Sequence, residues 1–299
     1  MSALERHPYS KSFQLWLTVN KFEHRTLPLN RANGESKIFL FGLPMDTNRP
    51  TVIFLHGLGN DVFFPNIDFF RHILANGFNI ATCDLDGHGI GGTTVFSIED
   101  AGTLVEDLVG QLDQFNLVNL GTPKYHFCGY SFGAVLQLNY AVSHAKRVQS
   151  LTLIGMPKDL SSRILMATEL LTPLFKSFRD ALAVYGIFGI TPAVGQFNRT
   201  RFPVRLRNTG EGDYLRVAAK IIANLNPEAL LPKVLFPTLE MVGSLDFIAN
   251  PKEASQGVTN WPIQYVTLTG ETHFSSMISK KCPVLFVEFI KRVSLVARA

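Results

Sequence analysis

Short apolar runs alternate with longer helical stretches between residues 13 and 156, and this alternation constrains the fold more than any other feature of the chain. The clearest run is Thr51–Leu55, which follows Pro50 and is apolar at every position after the threonine. A strand that is apolar on both faces needs helices on both sides, as in a parallel sheet. Repeated strand–helix units at this spacing predict an α/β fold with a mostly parallel central sheet flanked by helices.

The same pattern predicts the positions of the main elements. We expect strands over 13–19, 37–42, Thr51–Leu55, 78–84, 125–129, 150–154, Thr238–Gly243 and Ile263–Leu268. We expect helices over Ile98–Phe115, 131–143, 251–257 and 274–293. Residues 158–233 contain helical stretches without a convincing strand. The sequence therefore predicts an α/β core of residues 1–156 and 234–299, with residues 157–233 inserted as a helical cap.

Composition and charge exclude several classes of protein. Apolar residues make up 46% of the 299 residues and charged ones 17%, which supports a large core and excludes an intrinsically disordered chain. The net charge of +4 is too small for a concentrated basic stripe, so we expect no nucleic-acid partner. Three cysteines without a C-x-x-C spacing predict neither a disulfide framework nor a metal site.

No targeting or membrane segment is expected from the sequence. Residues 1–7 lack the apolar stretch of a secretory signal, and the longest uncharged stretches are interrupted by glycines and polar residues. We therefore predict a cytoplasmic protein. The 24 phenylalanines suit either a core or an apolar pocket.

The strongest local signal is Gly129-Tyr130-Ser131-Phe132-Gly133, a G-x-S-x-G between a predicted strand and a predicted helix. In that context the pattern predicts a nucleophile elbow, a sharp turn that exposes the serine hydroxyl. Neighbouring chain approaches closely at the flanking positions, so glycine is required there. The N-terminus of the following helix would also favour an oxyanion near the serine. The competing interpretation is a glycine-flanked serine that only caps the helix.

With this motif the chain resembles the α/β-hydrolase superfamily along nearly its whole length, in the branch of capped serine esterases and monoglyceride lipases. Strand Thr51–Leu55 ends in His56-Gly57-Leu58-Gly59, where the family has its oxyanion-hole loop. The resemblance implies that the backbone N–H groups of Leu58 and Phe132 bind the oxyanion, each worth about 3–4 kcal/mol in related chemistry. The His56 side chain is then expected to shape the turn.

Residues 84–89, Asp-Leu-Asp-Gly-His-Gly, resemble the family's D-x-x-G-H-G turn, which braces the oxyanion and nucleophile loops. The chain departs from the pattern at Gly91, where many relatives have serine. Gly87, Gly89 and Gly92 also satisfy G-x-G-x-x-G, but a dinucleotide site would need an acid at the end of the next strand. The acids at that distance lie in a predicted helix, so we expect no cofactor.

A catalytic serine needs a base and an orienting acid, which follow it in the order acid then histidine in this fold. His273 comes after the last predicted strand, whereas His144 follows the elbow helix too closely. Asp246 comes after the penultimate strand and would accept the Nδ1–H of the histidine. Asp159 is the rival acid. The predicted catalytic residues are therefore Ser131, Asp246 and His273.

These groups predict acyl transfer through a covalent acyl-enzyme that water then hydrolyses. Apolar segments of the predicted cap favour a small-molecule carboxylic ester with a hydrophobic acyl or alkyl group. The cap also carries Arg199, Arg201, Arg205 and Arg207, which suit an anionic substrate, a transient lipid-surface contact or simply a solvated loop. Carbon–carbon bond hydrolases, thioesterases and acyltransferases share the triad. A non-catalytic ligand receptor on the same fold is the alternative from another class.

Overall fold

A computed structural model describes residues 10–31, 34–42, 49–58, 60–63, 66–88, 98–115, 124–158, 211–246, 248–249 and 262–296. Within these residues eight strands form one sheet in the order β1-β2-β4-β3-β5-β6-β7-β8. The strands are β1 Glu23–Arg31, β2 Gly34–Gly42, β3 Thr51–Leu55, β4 Asn79–Cys83, β5 Tyr125–Tyr130, β6 Val148–Ile154, β7 Thr238–Gly243 and β8 Ile263–Leu268. Strand β2 is antiparallel to both neighbours, and the pairs from β4 to β8 are parallel.

Helices cover both faces of the sheet. They are α1 Ser10–Val19, α2 Ile67–Ala75, α3 Ile98–Phe115, α4 Phe132–Ser143, α5 Glu211–Leu225, α6 Pro227–Leu230, α7 Ser275–Ile278 and α8 Lys281–Val296. Single 3₁₀ turns span Ala145–Arg147 and Leu231–Lys233. Among the described helices, none combines the length and the apolar character that a membrane-spanning segment requires.

Two apolar cores form on opposite faces because side chains alternate along each strand. In β3, Ile53 and Leu55 join the core that contains α3 and α4. Val52 and Phe54 of the same strand join the core that contains α1, α2 and α8. The run that is apolar on both faces is therefore buried on both, and the predicted α/β architecture is confirmed.

Many phenylalanines fill these cores. The largest fully buried side chains are all phenylalanines: Phe13, Phe39, Phe41, Phe54, Phe63, Phe69, Phe70, Phe127, Phe132 and Phe286. The rings of Phe13, Phe41 and Phe70 contact one another at centroid distances of 5.2–6.3 Å, at the interface between α1, β2 and α2. Packing of the core thus accounts for a large share of the phenylalanines. The three cysteines are buried and unpaired.

The predicted strand over 13–19 is wrong, because these residues form helix α1. Apolar residues at alternate positions imitate a strand, but the structure buries Phe13 and Leu17 and leaves Leu15 and Val19 exposed. Burial at i and i+4 is the helical spacing. The sequence prediction gave weight to the alternation and missed this longer, helical period.

The last predicted helix, 274–293, is broken in two. Helix α7 ends at Ile278 and α8 begins at Lys281. Pro283 lies in the first turn of α8, where a missing N–H costs nothing, but a continuous helix would set its ring against the carbonyl group of residue 279. The predicted bounds of β3, α3, β7 and β8 are confirmed, and the predicted helix 251–257 lies outside the described residues.

Only part of the predicted cap lies in the described chain, namely residues 157–158 and 211–233. Helices α5 and α6 pack against α4, and α5 also contacts α3. Ala218, Ile221 and Ile222 of α5 enter the core on that face. These residues therefore extend the helical layer that covers the sheet. The remainder of the predicted cap, 159–210, lies outside the described residues, together with the four arginines.

A buried histidine links the sheet to α8 at the end opposite the elbow. His126 at the start of β5 lies 2.7 Å from Ser150 Oγ through Nδ1 and 3.1 Å from Ser294 Oγ through Nε2. Ser294 donates its own proton to the Ile290 carbonyl group, so its oxygen accepts from His126 Nε2 and Ser150 donates to Nδ1. Burial lowers the pKa of His126 to about 4.

This lowered pKa predicts a loss of stability in acid. Between pH 6.5 and about 4 the unfolded chain binds a proton at this histidine that the folded chain does not bind. The contribution of His126 to the free energy of unfolding should therefore fall by up to about 1.4 kcal/mol for each pH unit of acidification in this window. His126→Asn should reduce the slope of urea-unfolding free energy against pH, whereas replacing the exposed His24 by Asn should not. Equal slopes for wild type and His126→Asn would contradict this expectation.

Candidate active site

Ser131 occupies a strained turn between β5 and α4. Its backbone has φ 53° and ψ −119°, a conformation that costs a non-glycine residue about 1–3 kcal/mol. Strand β5 ends at Tyr130 and α4 begins at Phe132, so a single residue reverses the chain. The Ser131 N–H donates to the Ile154 carbonyl group at 2.8 Å, which fixes the turn against β6.

The two glycines of the motif are required by the close approach of backbone atoms. A Cβ atom at Gly133 would lie 2.4 Å from the Leu55 carbonyl oxygen and 2.5 Å from that of His56. A Cβ atom at Gly129 would lie 2.4 Å from the Cα atom of Ala134. Helix α4 therefore rests directly on the ends of β3 and β5, and this contact holds the strained serine in place.

Three side chains from distant parts of the chain form one hydrogen-bonded line. His273 Nε2 lies 2.8 Å from Ser131 Oγ, and His273 Nδ1 lies 2.9 Å from Asp246 Oδ2. The carboxylate can only accept, so Nδ1 carries the proton and Nε2 is free to accept from the serine hydroxyl. The histidine and the aspartate are buried, with exposures of 4% and 2%. This geometry allows His273 to remove the serine proton.

The Asp246 carboxylate is held by its own loop as well as by the histidine. Its Oδ1 accepts from the Ile248 and Ala249 N–H groups, each at 2.9 Å, which leaves Oδ2 for His273. Gly155, with φ +57°, lies against the pair, since a Cβ atom there would be 3.3 Å from His273 Nδ1. The end of β6 therefore leaves just enough room for the aspartate–histidine pair.

Tyr130, which precedes the serine, also holds the histidine. Its hydroxyl donates to the His273 carbonyl oxygen at 3.1 Å, and the two rings lie 5.5 Å apart between centroids. Burial raises the pKa of Tyr130 well above its ordinary value, and the negative charge of Asp246 adds to this effect. The phenol therefore remains a neutral donor beside the imidazole.

His56 fixes the orientation of the peptide group that carries the Leu58 N–H. Its Nε2 accepts from the Leu85 N–H at 3.1 Å, so Nδ1 carries the proton and donates to the Gly57 carbonyl oxygen at 2.8 Å. The Asn60 N–H also approaches that oxygen, at 3.3 Å. Because a trans peptide is planar, the Leu58 N–H points away from the oxygen that is held.

This loop lies beside the nucleophile. A Cβ atom at Gly57 would be 3.0 Å from the Cβ atom of Ser131, so the peptide between Gly57 and Leu58 passes next to the serine. The Phe132 N–H lies in the first turn of α4. N–H groups of a first turn have no acceptor within their own helix. The peptide groups that carry the N–H groups of the predicted donors, Leu58 and Phe132, thus both lie next to Ser131.

The turn that follows β4 is bound to the loop after β3 and carries a hydrogen bond of its own. Asp84 Oδ1 accepts from the Val62 N–H at 2.8 Å, and His88 Nδ1 donates to the Asp86 carbonyl oxygen at 3.0 Å. Burial lowers the pKa of His88 to about 3, with the neighbouring His56 adding to the shift, so His88 stays neutral. The bracing role expected for this turn is consistent with these bonds.

The structure therefore brings Ser131, Asp246 and His273 together, while the rival acid Asp159 lies outside the described residues. The sequence reasoning missed Tyr130 and Gly155, which both contact the histidine. A tyrosine at the variable second position of the motif gives no signal by itself. Gly155 directly follows a strand. A glycine at that position could have indicated that another part of the chain approaches its backbone closely.

Comparisons with known proteins agree with this architecture. Residues 50–181 match the family described as α/β hydrolase fold. An esterase from Thermogutta terrifontis, solved with malate bound, superposes with a TM-score of 0.67 at 18% identity, covering 90% of this chain and 99% of that one. A monoacylglycerol lipase from Paleococcus ferrophilus has a TM-score of 0.56 at 17% identity, covering 82% and 96%. The chain has the α/β-hydrolase fold and resembles esterases and lipases.

A curated relative comes from Oryza sativa subsp. japonica and is named probable 1-acylglycerol-3-phosphate O-acyltransferase. It is 25% identical over 156 residues, which are 51% of this chain and 36% of that protein. The match thus spans about a third of the relative's length.

The glycine contacts predict opposite effects for two substitutions. Gly133→Ala should destabilise the protein by about 1–3 kcal/mol or more, because its methyl group would meet backbone oxygens that cannot move aside. Gly102→Ala, in the exposed part of α3 with nothing within 4 Å, should stabilise it by about 0.5–1 kcal/mol. Urea unfolding of both variants measures this difference. A Gly133→Ala variant as stable as wild type would refute the close-contact account of the elbow.

Proposed function

We propose that this α/β-hydrolase-fold protein is a serine hydrolase that cleaves a carboxylic ester with a hydrophobic acyl or alkyl group. The observation that carries the proposal is the line of two hydrogen bonds from Asp246 through His273 to Ser131, of 2.9 and 2.8 Å. A nucleophile, a base within hydrogen-bond reach and an orienting carboxylate are the parts that acyl transfer requires.

In the first half of the reaction, Ser131 Oγ attacks the ester carbonyl carbon while its proton passes to His273 Nε2. The carbonyl π electrons move to oxygen and form an oxyanion. The buried carboxylate of Asp246 stabilises the imidazolium and keeps the ring in the tautomer that can accept the proton. His273 then protonates the leaving alcohol, the carbon–oxygen bond breaks, and the acyl group remains on the serine.

The oxyanion is held by the N–H groups of Leu58 and Phe132. The proposal is supported by the clamp on the Gly57 carbonyl oxygen, which fixes the direction of the Leu58 N–H before substrate binds. Preorganised donors act most strongly where water is excluded, and loss of one costs about 10²–10³ in kcat in related enzymes. In the second half, His273 activates water, which attacks the acyl-enzyme and releases the acid.

The hydrophobic substrate class rests on two features. Leu245, directly before the catalytic aspartate, is 59% exposed at the edge of the sheet where the site lies, and thus offers apolar surface to a ligand. Residues 159–210 of the predicted cap add apolar segments in the sequence, in the position where related enzymes cover the site. Contact of the cap arginines with an anionic lipid surface remains part of this proposal.

Acyl transfer to an alcohol other than water is a second candidate, favoured by the rice relative that carries an acyltransferase name. The same acyl-enzyme would form, and the acceptor alcohol would replace water in the second half. A non-catalytic receptor is the candidate from another class. Such a protein would not need the strained Ser131, whose conformation has a cost in folding free energy.

Removal of the nucleophile tests the reaction. Ser131→Ala should lower kcat on an aryl ester by about 10⁶-fold, because the triad acts as a unit. A fluorophosphonate should label wild type at Ser131 and leave the variant unlabelled. Ser143→Ala, at the exposed end of α4, is the matched control and should keep the full rate. An unlabelled, fully folded wild type would instead support the receptor.

A chain-length series identifies the substrate class. The value of kcat/KM should rise steeply from p-nitrophenyl acetate to longer acyl esters, since each buried CH₂ contributes about 0.8 kcal/mol. Equal rates along the series would refute a hydrophobic acyl pocket. The same assay with added 1-acylglycerol-3-phosphate separates the two reactions: transfer would give the diacyl product, whereas hydrolysis would give free acid alone.

A further inference from the structure

We propose that Arg31 and Asp86 form a positioning pair for the oxyanion hole, acting on the Leu58 N–H through the turn after β4 and through His56. The inference rests on the proposed function, because it assigns these residues a role in that reaction. Asp86 occupies a variable position of the turn 84–89, and Arg31, which ends the edge strand β1, belongs to none of the motifs from which the site was predicted.

The side chains of the pair are fully buried, and the hydrogen bonds of the guanidinium have fixed directions. Arg31 Nη2 donates to Asp86 Oδ2 at 2.7 Å, and the side chains are 0% and 1% exposed. The other terminal nitrogen of Arg31 donates to two groups of α3, Thr103 Oγ1 at 3.2 Å and the Asp107 carboxylate. The guanidinium thereby joins the turn after β4 to helix α3. A planar fork that is held at both ends fixes the position of its partners, which a single lysine charge would not do.

The turn after β4 connects Asp86 to His56. Asp86 is the neighbour of Leu85, whose N–H donates to His56 Nε2 at 3.1 Å. The turn is closed by the bond from the His88 N–H to the Leu85 carbonyl oxygen at 2.9 Å and by that from His88 Nδ1 to the Asp86 carbonyl oxygen at 3.0 Å. Displacement of Asp86 therefore displaces the Leu85 N–H, because one closed turn holds both residues.

His56 connects the Leu85 N–H to the peptide group between Gly57 and Leu58 and fixes the orientation of that group. The Leu85 N–H selects the tautomer in which His56 Nδ1 carries the proton, and this proton holds the Gly57 carbonyl oxygen at 2.8 Å. Planarity then sets the Leu58 N–H on the opposite side. Without the donor from Leu85, the imidazole could rotate or change tautomer, and the oxyanion donor would lose its fixed direction.

The other partner of the guanidinium provides a matched control. Asp86 and Asp107 are both carboxylates bound to Arg31, but Asp107 lies on α3, and its side chain is 34% exposed. Asp86→Asn and Asp107→Asn each remove one negatively charged partner of the same guanidinium. Only Asp86→Asn alters the turn that carries the Leu85 N–H.

The test compares the two variants on p-nitrophenyl butyrate and on an aryl trifluoromethyl ketone. Ser131 Oγ adds to the ketone carbon, its proton passes to His273, and the carbonyl oxygen becomes an oxyanion in the hole. We expect Asp86→Asn to lower kcat about tenfold, less than the 10²–10³ lost with a whole donor, while KM stays within about twofold. Ketone affinity should fall by the same factor. Asp107→Asn leaves the same nitrogen of Arg31 bound to Thr103 Oγ1, so helix α3 still holds the guanidinium, and both values should stay within about twofold of wild type.

Folding is controlled by measuring urea unfolding of each variant and assaying well within its folded range. If Asp86→Asn does not fold, Arg31→Lys keeps the charge but loses the fork, and it should show the same pattern to a smaller degree. Equal kcat and ketone affinity in the Asp86 and Asp107 variants would overturn the inference alone, as would a change confined to KM. A folded wild type that is inert towards ester and ketone would overturn the proposed function, and the inference with it.

Discussion

The carboxyl ends of the parallel strands meet at one edge of the sheet, and each group of the candidate site lies in the first residues beyond one of those ends. The oxyanion loop follows β3, Ser131 follows β5, and Gly155 follows β6. Asp246 and His273 follow β7 and β8. This constraint explains how side chains from opposite ends of the sequence come within hydrogen-bond reach, since the sheet fixes their separation before any of them interact.

The strain at Ser131 is tolerated because the surrounding contacts determine the turn completely. Helix α4 rests on β3 and β5 through two glycines, and the serine N–H is bound to β6. The histidine is likewise held from several sides, by Tyr130, Asp246 and the close approach of Gly155. Rigid elements thus hold a reactive geometry whose own conformation is unfavourable, as expected for a preorganised site.

Much of the fold and of the site could be predicted because the relevant signals are local. Thr51–Leu55 shows burial on both faces in five residues, and the elbow is contained in the pentapeptide around Ser131. Helix α1 was missed because its apolar residues fit both periods, and only packing against β2 and α2 decides that Phe13 and Leu17 are buried. Strand β1 was missed because most of its side chains are exposed.

The supporting contacts of the site could not be predicted for a different reason. Tyr130, Arg31 and Asp86 act through partners that are distant in sequence, as in the contact of Tyr130 with a carbonyl group 143 residues away. No spacing rule encodes such pairs. These contacts can be identified only from the structure, in which the sheet places the strands side by side. The motifs alone do not contain them.

The central claim is that Ser131 forms a covalent acyl intermediate with the help of His273. The most direct measurement mixes enzyme with excess p-nitrophenyl ester, quenches in acid within the first turnover and locates the acyl group by peptide mass spectrometry. The account predicts about one acyl group per chain on the peptide that contains Ser131, and none in the same time with His273→Ala. Rapid ester cleavage with no acyl group on Ser131, or equal acylation without His273, would contradict it.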